Sequence, residues 1–266
     1  RRHRAGGLRV HAQLLPRQPQ QPVFLWFDGV YMDCDILVNG QVVCSHAYGY
    51  TAFDADLTDA LQSGDNIILV HIRHQSPNTR WYSGSGIYRD VELVTVPACH
   101  FVPDGTYVVP RPEGNGWKIN IESEIAGERN RTPITVTLQN DRQDVLFSES
   151  FSGSENRQQI TIHVENVEPW SLEVPVLDTL TWDLGTDQIR MRIGFRTTEF
   201  TTDRGFFLNG KHIKLKGVCL HHDLGALGAA FHEKAARRQL RIMKDMGVNA
   251  LRTSHNPPAP EVLDLC

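Results

Sequence analysis

The chain has 266 residues, a mass of 30.0 kDa and a formal net charge of −4 at pH 7. Hydrophobic residues make up 40% and charged residues 22%, a balance typical of a folded protein rather than a disordered one. Acids and bases are mixed along the chain, and the only basic run is Arg1-Arg2-His3-Arg4. Four basic residues at a terminus are more often a solvated end than a nucleic-acid arm, so no nucleic-acid partner is expected.

The sequence has no membrane or secretion signal that we can identify. No apolar run approaches the roughly 18 residues that a membrane-spanning helix needs, so no membrane span is predicted. The N-terminus lacks the long apolar segment of a secretory signal, and the compartment stays unknown from the sequence.

The cysteines are five in number: Cys34, Cys44, Cys99, Cys219 and Cys266. None shows the C-x-x-C spacing of metal or redox sites, and we identify no cofactor or metal site. Cys34 and Cys44 flank an Asn39-Gly40 turn, and a two-residue hairpin there would pair Asp35 with Cys44. Because side chains alternate along a strand, Cys34 would then point to the opposite face from Cys44. We therefore expect reduced, structural cysteines.

Residues 8–96 show short apolar runs separated by turns, and no stretch of helical period competes with them. Strands are expected at Val23–Phe27, Ile67–Ile72 and Val91–Val94, with a hairpin at Asp35–Val43. Val23–Phe27 is continuously apolar, which suits a strand covered on both faces. The Asn39-Gly40 pair is typical of the type I′ turn of a tight hairpin. Together these features predict an all-β sandwich or jelly roll over residues 1–97.

Residues 98–200 alternate more cleanly between apolar and polar side chains. The apolar residues of shared parity are Trp117, Ile119, Ile121 and Ile125; Ile134, Val136 and Leu138; Ile160, Ile162 and Val164; Leu180, Trp182 and Leu184; and Met191, Ile193 and Phe195. A period of two with polar partners between is typical of antiparallel strands with one face in water. About five to seven such strands over roughly 100 residues predict an immunoglobulin-like β-sandwich.

In residues 201–266 the predicted structure changes from all-β to alternating strands and helices. Ile213–Val218 and Val248–Arg252 are predicted strands, and His232–Met246 between them has the apolar spacing of a helix that ends before Gly247. A second helix is expected to begin at Pro260. Strand, helix, strand and helix start form the opening of a parallel α/β fold. We expect the sequence to stop inside that fold, as an excerpt of a longer polypeptide.

Three motifs, in the correct order, carry a resemblance to a known family. Residues 80–91 read RWYSGSGIYRDV, residues 216–223 read KGVCLHHD and residues 249–258 read NALRTSHNPP. They resemble the RWYSGSGIYRDV loop and the KGVNxH and NAxRxSHxP signatures of family 2 glycoside hydrolases. The resemblance spans essentially the whole chain, and residues 221–228 look most like members called β-galactosidases.

This resemblance implies a mainly β fold in three parts. Residues 1–97 would be a jelly-roll sugar-binding domain and residues 98–200 an immunoglobulin-like β-sandwich. Residues 201–266 would supply the first βα units of a (β/α)8 TIM barrel. The implied activity is cleavage of terminal non-reducing β-linked sugars, above all β-galactosides, with a β-linked oligosaccharide or glycoside as the binding partner. β-Glucuronidase and β-mannosidase belong to the same family and are the alternative activities. The sequence leaves the oligomeric state open, with a homo-oligomer as one option.

A retaining glycosidase needs two carboxyl groups about 5–5.5 Å apart. In the family both are glutamates on later barrel strands, and one of them follows an asparagine. Residues 201–266 contain no Asn-Glu pair, so neither catalytic carboxylate is assigned and this chain alone is expected to be inactive. A non-catalytic carbohydrate-binding protein of two sandwiches is the alternative from another class, although such a module has no reason to begin a barrel.

The candidate substrate-binding residues follow the two predicted strands of the barrel segment. In a TIM barrel, polar residues at the carboxyl ends of strands line the active site, so His221, Arg252 and His255 should open on one pocket. By resemblance, His221 and His255 donate hydrogen bonds to sugar hydroxyls, and Arg252 orients the nucleophilic glutamate and lowers its pKa. The alternative is that both histidines are ordinary polar loop residues.

Two further candidates each have two interpretations. Asp223 either orients one of the histidines or caps the loop that follows it. Arg80 and Trp81 lie on the loop that, in the family, reaches over the barrel mouth. Trp81 there would stack on a sugar ring or simply pin the loop against the barrel.

Overall fold

The computed structural model describes the backbone of residues 5–13 and the whole of residues 21–74, 84–128 and 132–266. Strands dominate these residues, which confirms the mainly β prediction. The chain divides into two compact units. One combines the residues up to Thr95 with Lys216–Cys266, and the other is Val96–Leu215.

The strands and helices occur in the following chain order. The first strands are β1 (Ala5–Gln13), β2 (Val23–Phe27), β3 (Val30–Tyr31), β4 (Cys34–Val38), β5 (Gln41–His46), β6 (Phe53–Asp56), β7 (Asp65–Arg73), β8 (Gly86–Ile87) and β9 (Val91–Thr95). Next come β10 (His100–Glu113), β11 (Gly116–Ala126), β12 (Ile134–Gln139), β13 (Val145–Phe151), β14 (Arg157–Val164), β15 (Asp178–Asp183), β16 (Gln188–Ile193), β17 (Thr198–Thr201), β18 (Gly205–Leu208) and β19 (Lys211–His212). The last are β20 (Gly217–Leu220), a 3-10 turn (Gly225–Leu227), α1 (Glu233–Asp245), β21 (Ala250–Thr253) and α2 (Pro260–Leu265).

The first unit contains a β-sandwich. One antiparallel sheet has the order β1-β7-β4-β5 and the other has the order β6-β2-β9, while β3 pairs with β8. Alternate side chains of β2, β4, β6 and β7 are buried in one shared core, in which Phe27, Ile36 and Val70 are at most 1% exposed. The opposite faces of β2 and β4 are half-buried. The predicted sandwich is confirmed.

The hairpin between β4 and β5 departs from the predicted register. Asn39 and Gly40 both have positive φ, as a type I′ turn requires, and Val38 pairs with Gln41. An irregularity between Ile36 and Leu37 then shifts the pairing, as an extra residue in one strand does. Alternation along β4 was therefore predicted correctly, but pairing along β5 was not.

The predicted pairing of Asp35 with Cys44 is wrong because of this bulge. Cys44 pairs with Ile36 and Cys34 pairs with His46, so both cysteines lie on one face. They are diagonal neighbours, roughly 7–8 Å apart at Cα, which exceeds the span of a disulfide. No disulfide joins any two of the described cysteines, and for Cys34 and Cys44 the reason lies in their spacing rather than in opposite faces. Burial raises the pKa of the Cys34 thiol to about 11.

The second unit is the predicted sandwich of antiparallel strands. Its sheets have the orders β10-β11-β14 and β13-β12-β15-β16, and the predicted apolar parity is confirmed. The buried residues of that parity are Ile119, Ile121, Ile125, Ile134, Val136, Leu138, Ile160, Ile162, Val164, Leu180, Trp182, Leu184, Ile193 and Phe195. Trp117 is half-buried and packs edge-on against Phe195, with ring centroids 5.3 Å apart.

This second unit also contains a small antiparallel sheet, in which the hairpin of β17 and β18 is extended by β19. The Asn209 side chain accepts a hydrogen bond from the Thr197 amide and donates one to the Trp170 carbonyl, each 2.9 Å long. These bonds tie the hairpin to the preceding sandwich, and the unit extends to Leu215. The boundary between the units is thus 215/216, whereas the sequence analysis set a domain boundary at residue 200.

The barrel segment consists of β20 and β21 with α1 and α2. The two strands are adjacent and parallel, and α1 ends before Gly247, whose φ is +84°, so these predictions are confirmed. The bounds predicted for the first strand, Ile213–Val218, are wrong. The Ile213 amide bonds to Phe206 of the hairpin, and the parallel ladder begins only where Lys216 and Asn249 bond reciprocally.

Asp178 should make the stability of the second unit depend on pH. Its side chain is 2% exposed, and its Oδ2 has no hydrogen-bond partner among the described residues. Burial, aided by the carboxylates of Asp141 and Glu168, raises its pKa to about 6. The folded protein therefore holds this proton more tightly than the unfolded chain, where aspartate titrates near about 4. The free energy of unfolding should fall as pH rises from about 4 to about 6 and then level off.

The substitution Asp178→Asn should flatten this profile and raise the unfolding free energy of the second unit at pH 8 by roughly 1–3 kcal/mol. The measurement is urea denaturation followed by tryptophan fluorescence between pH 4 and 8, with exposed Glu149→Gln as the matched control. A profile that keeps its wild-type slope in Asp178→Asn would contradict the assignment.

Candidate functional site

The site is built on the carboxyl ends of β20 and β21. The register of these strands sets Leu220 opposite Thr253, and the Ser254 amide donates a 2.9 Å hydrogen bond to the Leu220 carbonyl. Because parallel strands end at the same edge of a sheet, the residues that follow must emerge side by side. The rings of His221 and His255 lie edge to face, with centroids 5.8 Å apart.

Arg252 precedes His255 by three residues and lies within β21, opposite Cys219. The side chains of these two residues share one face of the strands. The opposite face is marked by Leu220 and Thr253, which line a cleft together with residues of α1 and α2. Since strand side chains alternate, Arg252 and its partner Cys219 point away from the helices. Arg252 Nη1 lies 3.9 Å from Cys219 Sγ. A hydrogen bond from Ser254, helped by the Arg252 guanidinium, lowers the pKa of the exposed Cys219 thiol.

Asp223 lies in the loop between β20 and the 3-10 turn. It is half-buried, and its backbone carbonyl accepts a 3.4 Å hydrogen bond from the Gln239 side chain of α1. Both of the roles suggested for Asp223 stay predictions. Arg80 and Trp81 lie outside the described residues.

Two residues that the sequence analysis did not select approach the end of β21. The Tyr48 hydroxyl donates a 2.6 Å hydrogen bond to Asn256 Oδ1, and Arg89 Nη2 donates a 2.8 Å hydrogen bond to the Pro257 carbonyl. Arg89 belongs to the RWYSGSGIYRDV motif and was therefore within reach of sequence reasoning. Nothing in the pattern around Tyr48 distinguishes it from a surface aromatic residue.

The cleft beside the strands is lined in part by His221, His222 and Ser254. In the part of the chain that the structure describes, no group of three His, Cys, Asp or Glu side chains is arranged to hold a metal ion. None of the described helices has the length and apolar character needed to cross a membrane. His221 and His255 place hydrogen-bonding groups at the strand ends, and Arg252 places a positive charge near them.

Two parts of the chain match models of one protein family. Residues 15–97 match the sugar binding domain of glycosyl hydrolases family 2, and residues 200–266 match the TIM barrel domain of the same family. The chain is 38% identical over 259 residues to beta-galactosidase BoGH2A of Bacteroides ovatus, covering 90% of this chain and 30% of that protein. It is 34% identical over 250 residues to a putative beta-glucuronidase of Formosa agariphila, covering 91% of this chain and 24% of that protein.

A solved structure has a similar fold. A glycosyl hydrolase family 2 member from Bacteroides cellulosilyticus superposes with a TM-score of 0.88 at 32% identity, covering 98% of this chain and 38% of that one. The chain thus spans less than a third of the length of the two relatives described above. Two domain models of one family match in the expected order, the sugar binding domain before the TIM barrel domain. The chain belongs to glycoside hydrolase family 2.

Proposed function

We propose that the whole protein is a retaining β-glycosidase that removes terminal non-reducing β-linked sugars, with β-galactosides as its substrates. The observation that carries this proposal is the pairing of His221 and His255 at the ends of two adjacent parallel strands. The similarity to a beta-galactosidase over 90% of the chain supports the choice of sugar.

The histidine pair is suited to hold a sugar ring. Two imidazoles set edge to face at 5.8 Å can each offer an N–H to a different hydroxyl group of one bound sugar. Hydrogen bonds to sugar hydroxyls that strengthen as positive charge develops on the ring stabilise the oxocarbenium-like transition state. His221 is half-buried and His255 is exposed, so a ligand can reach both.

Arg252 supplies the positive charge of the site. Its guanidinium is exposed on the strand face that carries Cys219, away from the helices. In the proposed enzyme it lies near the nucleophilic glutamate, keeps that group ionised and lowers its pKa. Glu233 is an acid that we exclude as this nucleophile, because it pairs with Arg237 one turn along α1. The proposed reaction is that of the whole protein, and the chain by itself is proposed to be inactive.

β-Glucuronidase is the second candidate, and the 34% identity to a putative beta-glucuronidase favours it. The two activities share the fold and differ in the group at the sugar C5 position, which is a carboxylate in glucuronides. A β-mannosidase of the same family is a further alternative without a favouring observation. A pure carbohydrate-binding protein is disfavoured because β20 and β21 would then have no purpose.

The first prediction here concerns the substrate. The whole protein should hydrolyse 4-nitrophenyl β-D-galactoside with a kcat/KM at least about tenfold above that for the β-D-glucuronide and the β-D-mannoside, a difference that a few polar contacts provide. Transfer to methanol, followed by NMR, should give the β-methyl galactoside, because a retaining reaction inverts the anomeric carbon twice. A preference for the glucuronide would replace the galactosidase proposal with its alternative.

The second prediction concerns the histidines. In the whole protein, His221→Ala or His255→Ala should lower kcat/KM for the preferred glycoside by about 10²–10³-fold, which corresponds to roughly 2–4 kcal/mol of transition-state stabilisation. His163→Ala is the matched control, since that histidine is 62% exposed on β14 of the second unit. Steady-state kinetics would count against the proposed role if His221→Ala kept wild-type turnover.

A further inference from the structure

The first sandwich presents a set of aromatic side chains beside the strand ends. We call Tyr31, Tyr48, Tyr50 and Tyr88 the tyrosine cluster. Tyr50 lies at its centre, edge-on to Tyr31 at 5.2 Å and to Tyr48 at 5.6 Å between ring centroids. Tyr88 joins the cluster through its hydroxyl, which donates a 2.7 Å hydrogen bond to the Gly49 carbonyl.

The tyrosine cluster contacts the loop that follows β20. The His222 ring packs edge-on against Tyr50, with centroids 4.9 Å apart, and lies 6.2 Å from the Tyr88 ring. The Phe231 amide, at the end of the same loop, donates a 3.2 Å hydrogen bond to the Tyr88 carbonyl. The residue directly before His222 is His221. This loop is therefore held by the sandwich immediately beside one histidine of the pair.

The same cluster contacts the loop that follows β21. The Tyr48 hydroxyl binds Asn256 Oδ1, and Arg89 binds the Pro257 carbonyl. The Arg89 guanidinium lies over the Tyr88 ring, 5.1 Å from its centroid, which limits its freedom. The residue directly before Asn256 is His255. Both histidines of the pair thus adjoin a residue that the sandwich holds.

The tyrosine cluster is closely packed around Tyr31, Tyr50 and Tyr88, whereas Tyr48 at its edge is 44% exposed. A Cβ at Gly49 would come within 2.5 Å of the Tyr31 ring, and a Cβ at Gly29 would come within 2.8 Å of the Tyr88 ring. Tyr50 is 3% exposed. Side chains that are packed as densely as a protein interior pass a displacement on to their neighbours. Removal of one contact at its edge should therefore alter the loops rather than the cluster.

We infer that Tyr48 and Arg89 are positioning residues, which set the separation of His221 and His255 by holding Asn256 and Pro257. The sandwich thereby contributes to the barrel site through the backbone and the side-chain amide of the loop that follows β21. The catalytic consequence of this role rests on the proposed function, whereas the geometric role does not. Tyr48→Phe is the sharpest probe, because it removes one hydroxyl and keeps the ring.

The geometric test uses proton NMR of the histidine rings in this chain. Tyr48→Phe should shift the ring signals of His221 and His255 and leave those of His163 unchanged. Tyr107→Phe is the matched control, because that tyrosine is 66% exposed in the second unit. Signals of His221 and His255 that stay at their wild-type positions in Tyr48→Phe would overturn the inference, whatever the protein hydrolyses.

The catalytic test is a double-mutant cycle in the whole protein. Tyr48→Phe should lower kcat/KM about 3- to 10-fold, mainly through kcat, as the loss of one neutral hydrogen bond does. In a His255→Ala background the same change should have less than about a twofold effect, because a residue that acts through another is not additive with it. Equal effects in the two backgrounds would show a merely structural role and overturn the inference.

Arg89→Gln provides a second cycle should Tyr48→Phe fail to fold, and the same non-additivity with His255→Ala is expected. A wild-type whole protein without turnover on any of the three nitrophenyl glycosides would overturn the proposed function instead. The ring signals would then still decide the geometric role. The two failures are thus separable by experiment.

Discussion

The parallel ladder between β20 and β21 is the constraint on which the candidate site depends. It is short, with Gly217 opposite Ala250 at one end and Leu220 opposite Thr253 at the other. Asn249 closes its first end through hydrogen bonds with Lys216, and the Ser254 amide extends it at the second. A shift of one residue in this register would turn the side chains of one strand to the other face and separate the histidines.

The two sandwiches bury their apolar surface in different ways. In the second unit, β11, β12, β14 and β15 bury alternate side chains, so one face of each sheet carries nearly all the core. In the first unit, β2 buries one face and half-buries the other, and aromatic residues extend the packing toward the strand ends. Because of that extension, the first sandwich has a surface that can pack against other parts of the chain. A sheet that buries one face and exposes the other lacks such a surface.

Much of the fold could be predicted because period-two alternation is a local property. The parity of Ile119 and Ile121, or of Leu180 and Trp182, follows from the pleat alone. The bulge at Ile36 and the late start of β20 could not be predicted, since both depend on partners distant in sequence. For the site, motifs identified His221, Arg252 and His255, whereas Tyr48 lies 208 residues from the asparagine it binds.

The first unit is discontinuous: the chain leaves it at Thr95 and returns at Lys216. Its two pieces can meet only after the intervening second unit has been synthesised. An unfolded stretch of that length would impose a large loop-closure entropy on the pairing of Tyr48 with Asn256. If the second sandwich folds first, its two ends are held at a fixed distance. This distance then replaces the variable end-to-end distance of an unfolded chain. Folding of the second sandwich before this pairing would then lower the loop-closure entropy that opposes the joining of the two pieces of the first unit.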